Sequence, residues 1–229
     1  VDPDIIDMQE VLHHQLEVLK TDLPEYTVVG VGREDGKTAG EYAPIFFKQA
    51  KYTLLDQNTF WLCEKPDSVG MVGWDAALTR IATWAKLQDK KTGQILMVVN
   101  THFDHIGTEA RRNSALLIIE KIKEIVGTSP AILTGDFNVS EDWDAYKTIT
   151  NNEFILKDAH KVAGKRTGVD FTYHDFGKIP AEKCEKIDFI FVTPQIRVIS
   201  SYIPFSQLND TLFLSDHNPE IVELEIEKS

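Results

Sequence analysis

Apolar residues in this chain follow two patterns: short unbroken runs typical of buried strands, and three- or four-residue spacings typical of helices. A run over Ile5–Gln9 predicts a strand, and leucines at helical spacing predict an amphipathic helix over Val11–Leu23. A second helix should begin at Thr108 and stop at Gly127, because its apolar residues fall on one face. A third, short helix is expected over Glu141–Ile149.

The remaining apolar runs have the length and the flanking turn residues of β-strands. They predict further strands at Tyr26–Val31, Ala43–Lys48, Tyr52–Leu62, Arg80–Gln88, Ile95–Asn100, Ala131–Thr134, Lys186–Val192, Arg197–Tyr202 and Glu220–Ile226. A turn at Asp89–Gly93 joins two of these strands into a hairpin. Many strands with few helices favour two packed sheets with helices outside over a doubly wound parallel sheet.

The composition is that of a globular protein, since 42% of the 229 residues are hydrophobic and 26% are charged. No linker, repeat or low-complexity segment interrupts the chain, so we expect one domain over residues 1–229, and a monomer. No apolar run approaches the roughly 20 residues that a membrane-spanning helix needs. The chain begins at Val1 rather than at a methionine, which leaves the cellular compartment open.

The formal net charge is −12, from 24 basic and 36 acidic residues. Proteins that bind long duplex nucleic acid usually carry a basic excess, because contacts with phosphate groups supply much of their affinity. The charge therefore argues against a processive or non-specific DNA-binding protein. It favours small or short substrates instead.

Polar residues suited to catalysis follow two of the expected strands. Glu10 ends the first strand, where a carboxylate can bind Mg²⁺. Asp136 and Asn138 follow the strand Ala131–Thr134, so the carboxylate can take a proton from water while the amide orients that water. Asp-x-Asn after glycine is also a common turn sequence, and turn formation is the alternative.

Near the end of the chain, Asp216 and His217 are adjacent, and Asp188 precedes the apolar run Phe189–Val192. An aspartate that orients a histidine favours its cationic form, which suits stabilising a negatively charged transition state. Asp216 is a candidate second metal ligand. The alternatives are a surface acid at position 188 and a turn-capping histidine at position 217.

Two more polar residues stand at strand ends. His102 is expected to donate to a phosphate oxygen or to the leaving group, although with Asp104 and His105 it also makes a weak zinc signal. Arg80 is expected to clamp a phosphate group, with a surface ion pair as the alternative. Arg111, on the first turn of the second helix, is expected to be solvated.

Five short motifs occur along the chain in order: Asp7-Met8-Gln9-Glu10, Asn100-Thr101-His102, Gly135-Asp136-Phe137-Asn138, Asp188-Phe189-Ile190-Phe191 and Ser215-Asp216-His217. In order and spacing, the chain from Ile5 to its last strand resembles the endonuclease/exonuclease/phosphatase superfamily, which has the DNase I-like fold. The resemblance implies an α/β fold: a four-layer sandwich of two mixed β-sheets packed face to face and flanked by helices.

By this resemblance, Glu10 binds Mg²⁺ or Mn²⁺, and Asp216 supports the metal or the attacking water. Residues 32–45 resemble an uncharacterised bacterial branch, closer to deadenylase-like and nocturnin-like enzymes than to abasic-site nucleases. The resemblance to that branch implies that Glu41 and Arg80 also contact metal-bound phosphate, with Glu41 as a further candidate metal ligand. The superfamily domain normally begins with a strand that carries a metal-binding asparagine. No such strand precedes Glu10, so we expect the first strand to lie outside this sequence.

The resemblance also implies the catalytic roles. Asp136 activates the attacking water, and Asn138 positions that water and the phosphate. His217, paired with Asp188, stabilises the transition state, while His102 contacts the scissile phosphate.

The expected function is that of a metal-dependent phosphoesterase that hydrolyses a phosphate ester by in-line attack of activated water. Its substrate is expected to be a nucleotide, a short oligonucleotide, or a sugar or lipid headgroup phosphate. Two alternatives stay open. One is a DNA-repair nuclease, which should show a basic surface, and the other is a catalytically silent binding module that keeps the fold.

Overall fold

The computed structural model describes residues 1–127, 129–151, 156–209 and 212–227. Its helices are α1 (His13–Asp22), α2 (Thr108–Val126), α3 (Asp144–Thr150) and α4 (Ala159–Val162). Its strands are β1 (Ile5–Asp7), β2 (Tyr26–Val29), β3 (Ile45–Lys48), β4 (Tyr52–Trp61), β5 (Ile81–Asp89), β6 (Ile95–His102), β7 (Ala131–Asp136), β8 (Lys157–Asp158), β9 (Lys165–Gly168), β10 (Asp188–Val192), β11 (Ile196–Ile203), β12 (Gln207–Asn209), β13 (Leu212–Phe213) and β14 (Ile221–Ile226). The first three helices and the longer strands lie within a few residues of their predicted positions.

Six strands form the central sheet, in the order β4-β5-β6-β7-β10-β8. Neighbouring strands run antiparallel except for β6 and β7, which are parallel. A parallel pair needs a long crossover connection, and α2 supplies it between these two strands. The central sheet is therefore mixed, as predicted.

A second layer of strands faces the central sheet. Among the described residues it consists of two three-stranded sheets, ordered β1-β3-β2 and β14-β11-β9, rather than one continuous sheet. Apolar side chains of both layers meet in one buried cluster, which includes Phe47 of β3, Leu87 of β5, Leu96 of β6 and Val198 of β11. The predicted face-to-face packing of two sheet layers is confirmed.

Helices cover the outer faces of both layers. Ile118 and Ile122 of α2 and Ile149 of α3 are at most 2% exposed and pack on the central sheet. On the opposite side, Leu16 of α1 lies in one buried cluster with Phe46 of β3. The order of helix, sheet, sheet and helix is the predicted four-layer α/β sandwich. Among the described residues, no helix combines the length and the apolar character that crossing a membrane requires.

Several element boundaries differ from the sequence prediction. β6 and β7 extend two residues past their predicted ends, to His102 and Asp136, because the pairing between them continues beyond the last apolar residue. The short elements β8, β9, β12, β13 and α4 are not predicted. β9, for example, exposes all four of its residues, so no apolar period marks it as a strand.

Asn100, on β6, fastens the two sheet layers together. It is fully buried, and its Nδ2 donates to the carbonyl oxygens of Met8 at 2.7 Å and Pro44 at 2.9 Å. Its Oδ1 accepts a hydrogen bond from Gln9 Nε2 at 2.7 Å. Because buried polar groups are costly unless paired, this network fixes the segment that leads into Glu10.

Asp7, the last residue of β1, brings a carboxyl group into the region between the layers. Its Oδ2 accepts from the Thr134 hydroxyl at 2.8 Å, whereas its Oδ1 is buried with no hydrogen-bond partner among the described residues. Burial raises the pKa of Asp7 from 3.8 to about 7, and the Thr134 hydrogen bond counteracts only part of this rise.

We expect the Asp7→Asn variant to be more stable than the unmodified chain, by an amount that grows with pH. Below about pH 4 the Asp7 carboxyl is protonated in both the folded and the unfolded protein, so it then contributes nothing to the pH dependence of the unfolding free energy. Between about pH 4 and pH 7 the unfolded chain ionises first, so the unmodified protein loses about 1.4 kcal/mol of stability per pH unit. The loss approaches ~4 kcal/mol above the folded-state pKa.

Urea unfolding at pH 5 and pH 8 measures this effect. The gain in unfolding free energy from Asp7→Asn should be larger at pH 8. Asp22→Asn, which makes the same change at an exposed position, is the matched control. An Asp7→Asn gain that is the same at both pH values would contradict the assignment.

Candidate active site

Three strand ends of the central sheet place polar side chains next to one another. His102 of β6 lies opposite Asp136 of β7, and Asp136 in turn lies opposite Asp188 of β10. Neighbouring strands are about 4.8 Å apart, so the register alone brings these three residues together. Gly135 permits the close approach of β7 to β6, because a Cβ at this position would lie 2.3 Å from the carbonyl oxygen of Thr101.

The turn after β7 sets the directions of Asp136 and Asn138. Phe137, between them, is fully buried and packs edge-on against Phe103 and Phe191. Asn138 has a left-handed backbone with φ of 50°, and its N–H donates to Asp136 Oδ1 at 2.8 Å. Its side-chain Nδ2 donates to the carbonyl oxygen of Phe103 at 3.0 Å. The turn that the sequence left as the alternative is thus the feature that holds the carboxylate and the amide side by side.

His217 and Asp188 form a hydrogen-bonded pair, with 2.7 Å between His217 Nδ1 and Asp188 Oδ2. Thr172 joins the two segments that carry this pair. Its hydroxyl oxygen accepts from the N–H groups of Ile187 and Asp188, and its carbonyl oxygen accepts from the Asn218 N–H at 2.7 Å. Burial lowers the pKa of His217, but the hydrogen bond and charge of Asp188 outweigh it and raise the pKa to about 9. The imidazole is therefore cationic at neutral pH.

The carboxylate of Asp136 lies between the two histidines. Its Oδ2 is 3.5 Å from His102 Nε2 and 4.0 Å from His217 Nε2. Asp136 is 5% exposed, and burial together with the negative charge of Asp188 raises its pKa. A carboxylate with a raised pKa is a stronger base than an exposed one, which suits it to accept a proton from water.

His102 is electrically neutral in this environment. Burial, followed by the positive charges of Arg80 and Arg33, lowers its pKa well below the ordinary value of 6.5. Its Nδ1 is buried and has no hydrogen-bond partner among the described residues. A neutral imidazole keeps one donor and one acceptor nitrogen, so His102 can donate a hydrogen bond to a ligand oxygen.

Arg80 lines a small recess beside His102 and is only 4% exposed, so it is not a surface ion pair. Its Nε lies 3.5 Å from Asp104 Oδ1, and its Nη2 lies 3.1 Å from His105 Nδ1. The Asp104 carboxylate accepts from four backbone N–H groups, those of Ala77, Leu78, Ile106 and Gly107. Although burial raises the pKa of Asp104, these hydrogen bonds lower it to about 2. The carboxylate is therefore a fixed anion behind the guanidinium.

Glu10, Glu41 and Asp216 bring negative charge to the same region. Glu10 has a left-handed backbone with φ of 60°, a conformation that costs free energy in residues other than glycine. Burial raises the pKa of Glu10, and the charges of Glu41 and Asp216 raise it further. A divalent cation would relieve this repulsion, and carboxylate oxygens are the ligands that Mg²⁺ prefers. The donor set therefore fits a magnesium or manganese ion.

Within the described part of the chain, one group of potential metal-ligand atoms is compact. It consists of Asp136, Asp188 and His217, whose ligand atoms all lie within 4.8 Å of one another. Because the cationic imidazole of His217 carries protons on both nitrogens, it is a poor metal ligand as it stands. Neither His102 nor His105 belongs to this group, so the spacing that suggested zinc does not form a site among the described residues.

Two arginines lie in environments that the sequence did not predict. Arg33 was not singled out, yet it is 8% exposed and lines the same recess as Arg80. Arg111 was expected to be solvated, but it is 4% exposed. Its Nη1 donates to the Asp104 carbonyl at 3.0 Å, and its guanidinium lies 4.8 Å from the centre of the Trp143 ring. Neither contact is visible in helical periodicity, which describes only one element at a time.

The four-layer sandwich and the converging carboxylate, amide and imidazole groups define the DNase I-like fold class. A family model described as the Endonuclease/Exonuclease/phosphatase family matches residues 1–217. This chain belongs to that family, whose members include phosphatases and nucleases.

The similarity to individual relatives covers nearly the whole length of this chain. An endonuclease/exonuclease/phosphatase from Bacteroides vulgatus is 65% identical with a TM-score of 0.95, covering 98% of this chain and 85% of that one. A mannosyl-6-phosphatase from Bacteroides thetaiotaomicron is 37% identical with a TM-score of 0.91, covering 97% and 85%. An uncharacterised protein of Acanthamoeba polyphaga mimivirus is 29% identical, covering 97% of this chain and 86% of its own length.

Proposed function

We propose that this protein is a metal-dependent phosphoesterase that hydrolyses a phosphate ester by in-line attack of activated water. The observation that carries the proposal is the arrangement around Asp136. This buried carboxylate lies 3.5 Å from a neutral imidazole, His102, and 4.0 Å from a cationic one, His217. A base beside a hydrogen-bond donor and a fixed positive charge is the set of groups that phosphate ester hydrolysis requires.

Each residue then has one task. Asp136 takes the proton of the attacking water, while Asn138 orients that water. The cationic His217, held by Asp188, stabilises the negative charge that develops on the phosphoryl oxygens. His102 donates a hydrogen bond to the phosphate group.

Glu10 and Asp216 would hold the Mg²⁺ or Mn²⁺ ion, with Glu41 nearby. When bound, such an ion supplies Lewis-acid polarisation of the phosphoryl group. Glu41 also pairs with Arg33, at 2.5 Å between Oε2 and Nη1, so its carboxylate would be divided between a cation of the protein and the metal.

We infer that the substrate is a small or short phosphorylated molecule. The net charge of −12 disfavours long duplex nucleic acid, as argued from the sequence. The similarity to a mannosyl-6-phosphatase, at 37% identity, supports a phosphorylated sugar as the first class to examine. A DNA-repair nuclease and a catalytically silent binding module are the competing functions, and the experiment below distinguishes them.

Metal dependence and activity are tested together with aryl phosphate esters. We expect hydrolysis in the presence of Mg²⁺ and its loss in excess EDTA. Glu10→Gln should raise the Mg²⁺ concentration needed for half-maximal rate by ~10-fold or more, because the variant loses an anionic oxygen ligand. Glu17→Gln, which neutralises an exposed glutamate on α1, is the matched control and should leave the Mg²⁺ requirement unchanged.

The outcomes separate the three functions. No hydrolysis of any ester with Mg²⁺ or Mn²⁺ would support the silent binding module and contradict the proposal. A rate that is the same with and without EDTA would exclude the metal requirement. Tight binding and cleavage of duplex DNA at physiological salt would favour the nuclease.

A further inference from the structure

The small recess beside the candidate active site contains two buried arginines. Arg33, Glu41, Arg80 and His102 line it, and its volume is about 10 Å³. A cavity needs roughly that volume to hold a single water molecule. The recess is partly open to solvent, so one oxygen atom of a bound phosphate group can enter it while the rest of the molecule stays outside.

Arg80 lines this recess and has N–H donors that form no hydrogen bond among the described residues. Its Nη1 and Nε are buried and have no hydrogen-bond partner among the described residues. Nε forms an ion pair with Asp104, at 3.5 Å from Oδ1, so Nη1 is the donor that lacks a charged partner as well. Since buried donors without partners are costly, Arg80 is arranged to meet an acceptor that comes from outside the protein.

Arg33 adds a second guanidinium to the same recess. It is fixed from two sides, because Nη1 pairs with Glu41 Oε2 at 2.5 Å and its carbonyl oxygen accepts from the Trp61 indole at 2.7 Å. Burial lowers the pKa of Arg80, and the positive charge of Arg33 lowers it further. The two cations therefore repel each other. The carboxylates of Asp104 and Glu41 offset part of this repulsion, and an anionic oxygen in the recess would offset more of it.

A phosphate group presents different atoms to this recess in monoesters and diesters. A monoester has three terminal oxygens and carries an additional negative charge near neutral pH. A diester has only two unsubstituted oxygens, and the proposed metal ion with His102 and His217 can contact both of them. The recess is a further contact point, for which only a monoester has an oxygen left. The number of oxygens and the charge therefore favour monoesters in the same direction.

We propose that Arg33 and Arg80 bind the terminal phosphoryl oxygen that a monoester has and a diester lacks, which makes the enzyme selective for phosphate monoesters. This inference rests on the proposed function and specifies its substrate class. Arg33 is the specificity-determining residue, and Glu41 is a positioning residue that holds its guanidinium. Planar guanidinium groups suit this task because they bind phosphate oxygens through several donors at once.

Two substrates that differ by a single methyl group test the inference. p-Nitrophenyl phosphate and methyl p-nitrophenyl phosphate share a leaving group, so the ratio of their kcat/KM values isolates the effect of the third terminal oxygen. Arg33→Gln should lower kcat/KM for the monoester by ~10- to 100-fold, as expected for losing a hydrogen bond to a charged group. The diester value should change by less than ~3-fold. Arg33→Lys keeps the positive charge but loses the forked geometry of the guanidinium group. Its kcat/KM for the monoester should therefore lie between the values of Arg33→Gln and the unmodified protein.

Arg112→Gln removes the same charge from an exposed position on α2 and should leave the ratio unchanged. Misfolding of a variant lowers both kcat/KM values equally, so the ratio reports recognition independently of the folded fraction. A ratio that stays at the unmodified value in both Arg33 variants would overturn the inference. So would an unmodified enzyme that prefers the methyl diester.

A binding measurement separates this inference from the proposed function. Calorimetric titration with inorganic phosphate and with dimethyl phosphate, both with Mg²⁺, requires no turnover. We expect Arg33→Gln to weaken inorganic phosphate binding by ~10-fold or more and to leave dimethyl phosphate unaffected. If neither ester is hydrolysed, the proposed function fails, and the titration still decides the role of Arg33. Equal phosphate affinity in the variant and the unmodified protein would overturn that role.

Discussion

Replacing Asp136 with asparagine should lower kcat for phosphate ester hydrolysis by about 10²- to 10⁴-fold, the range associated with loss of a general base. Asparagine has nearly the same shape and can keep the hydrogen bond from the Asn138 N–H, which is 2.8 Å from Oδ1. It cannot take a proton from the attacking water. The loss should therefore appear in kcat at saturating substrate and Mg²⁺.

Stability provides the control for this variant. Burial and the charge of Asp188 both disfavour the ionised form of Asp136, as its raised pKa shows, so a neutral side chain should be tolerated there. We expect Asp136→Asn to unfold at the same urea concentration as the unmodified protein, or at a higher one. Asp67→Asn, which makes the same change at an exposed position outside the helices and strands, should change neither rate nor stability. A kcat close to normal in Asp136→Asn would refute the base role.

Replacing His217 with alanine should lower kcat/KM by about 10²- to 10³-fold, the effect of removing one preorganised group that stabilises the transition state. The expected size follows from the cationic state of the imidazole, whose pKa is about 9. The measurement is the initial rate on the same aryl phosphate. A loss smaller than ~10-fold would show that the imidazole does not contact the reacting phosphate.

A double-mutant cycle tests whether Asp188 acts through His217. The two side chains share a 2.7 Å hydrogen bond, so their substitutions should not be additive. We expect Asp188→Asn to lower the rate by itself, and to lower it little further once His217 is alanine. Losses that multiply in the double variant would assign Asp188 a separate task.

The layers of the fold follow from the apolar pattern, because β6 and β7 are buried on both faces while the first three helices each bury one face. The sequence could not predict how the second layer divides into two three-stranded sheets, since strand pairing depends on partners far apart along the chain. The short strands were missed for a related reason. β9 is held by parallel pairing with β11 and carries no apolar signal of its own.

The candidate site was predictable where polar residues follow apolar strands. Asp136 and His102 turned out to be strand residues, two positions beyond the predicted ends, and the register of β6 with β7 then places them opposite each other. The hydrogen bond between Asp188 and His217 depends on the segment around Thr172, which no sequence pattern indicated.

The recess residues were harder to predict. Arg33 lies in the loop between β2 and β3, where neither an apolar period nor a strand end marks it as a functional residue. Its importance comes from the ion pair of its side chain with Glu41 and from the hydrogen bond that the Trp61 indole donates to its carbonyl oxygen, both of which form only in the folded chain. Arg111 was expected to be solvated, because an arginine on the first turn of a helix usually is. In the folded protein the Trp143 ring covers its guanidinium group.

The proposed mechanism is a single direct attack of water on phosphorus, with Asp136 as the base. The most direct test is the stereochemical course of hydrolysis, followed with a phosphorothioate monoester made chiral at phosphorus by oxygen isotopes and hydrolysed in water of the third isotope. One in-line attack predicts inversion of configuration in the released thiophosphate. Retention would reveal two successive displacements through a covalent intermediate, and would contradict the mechanism built around Asp136.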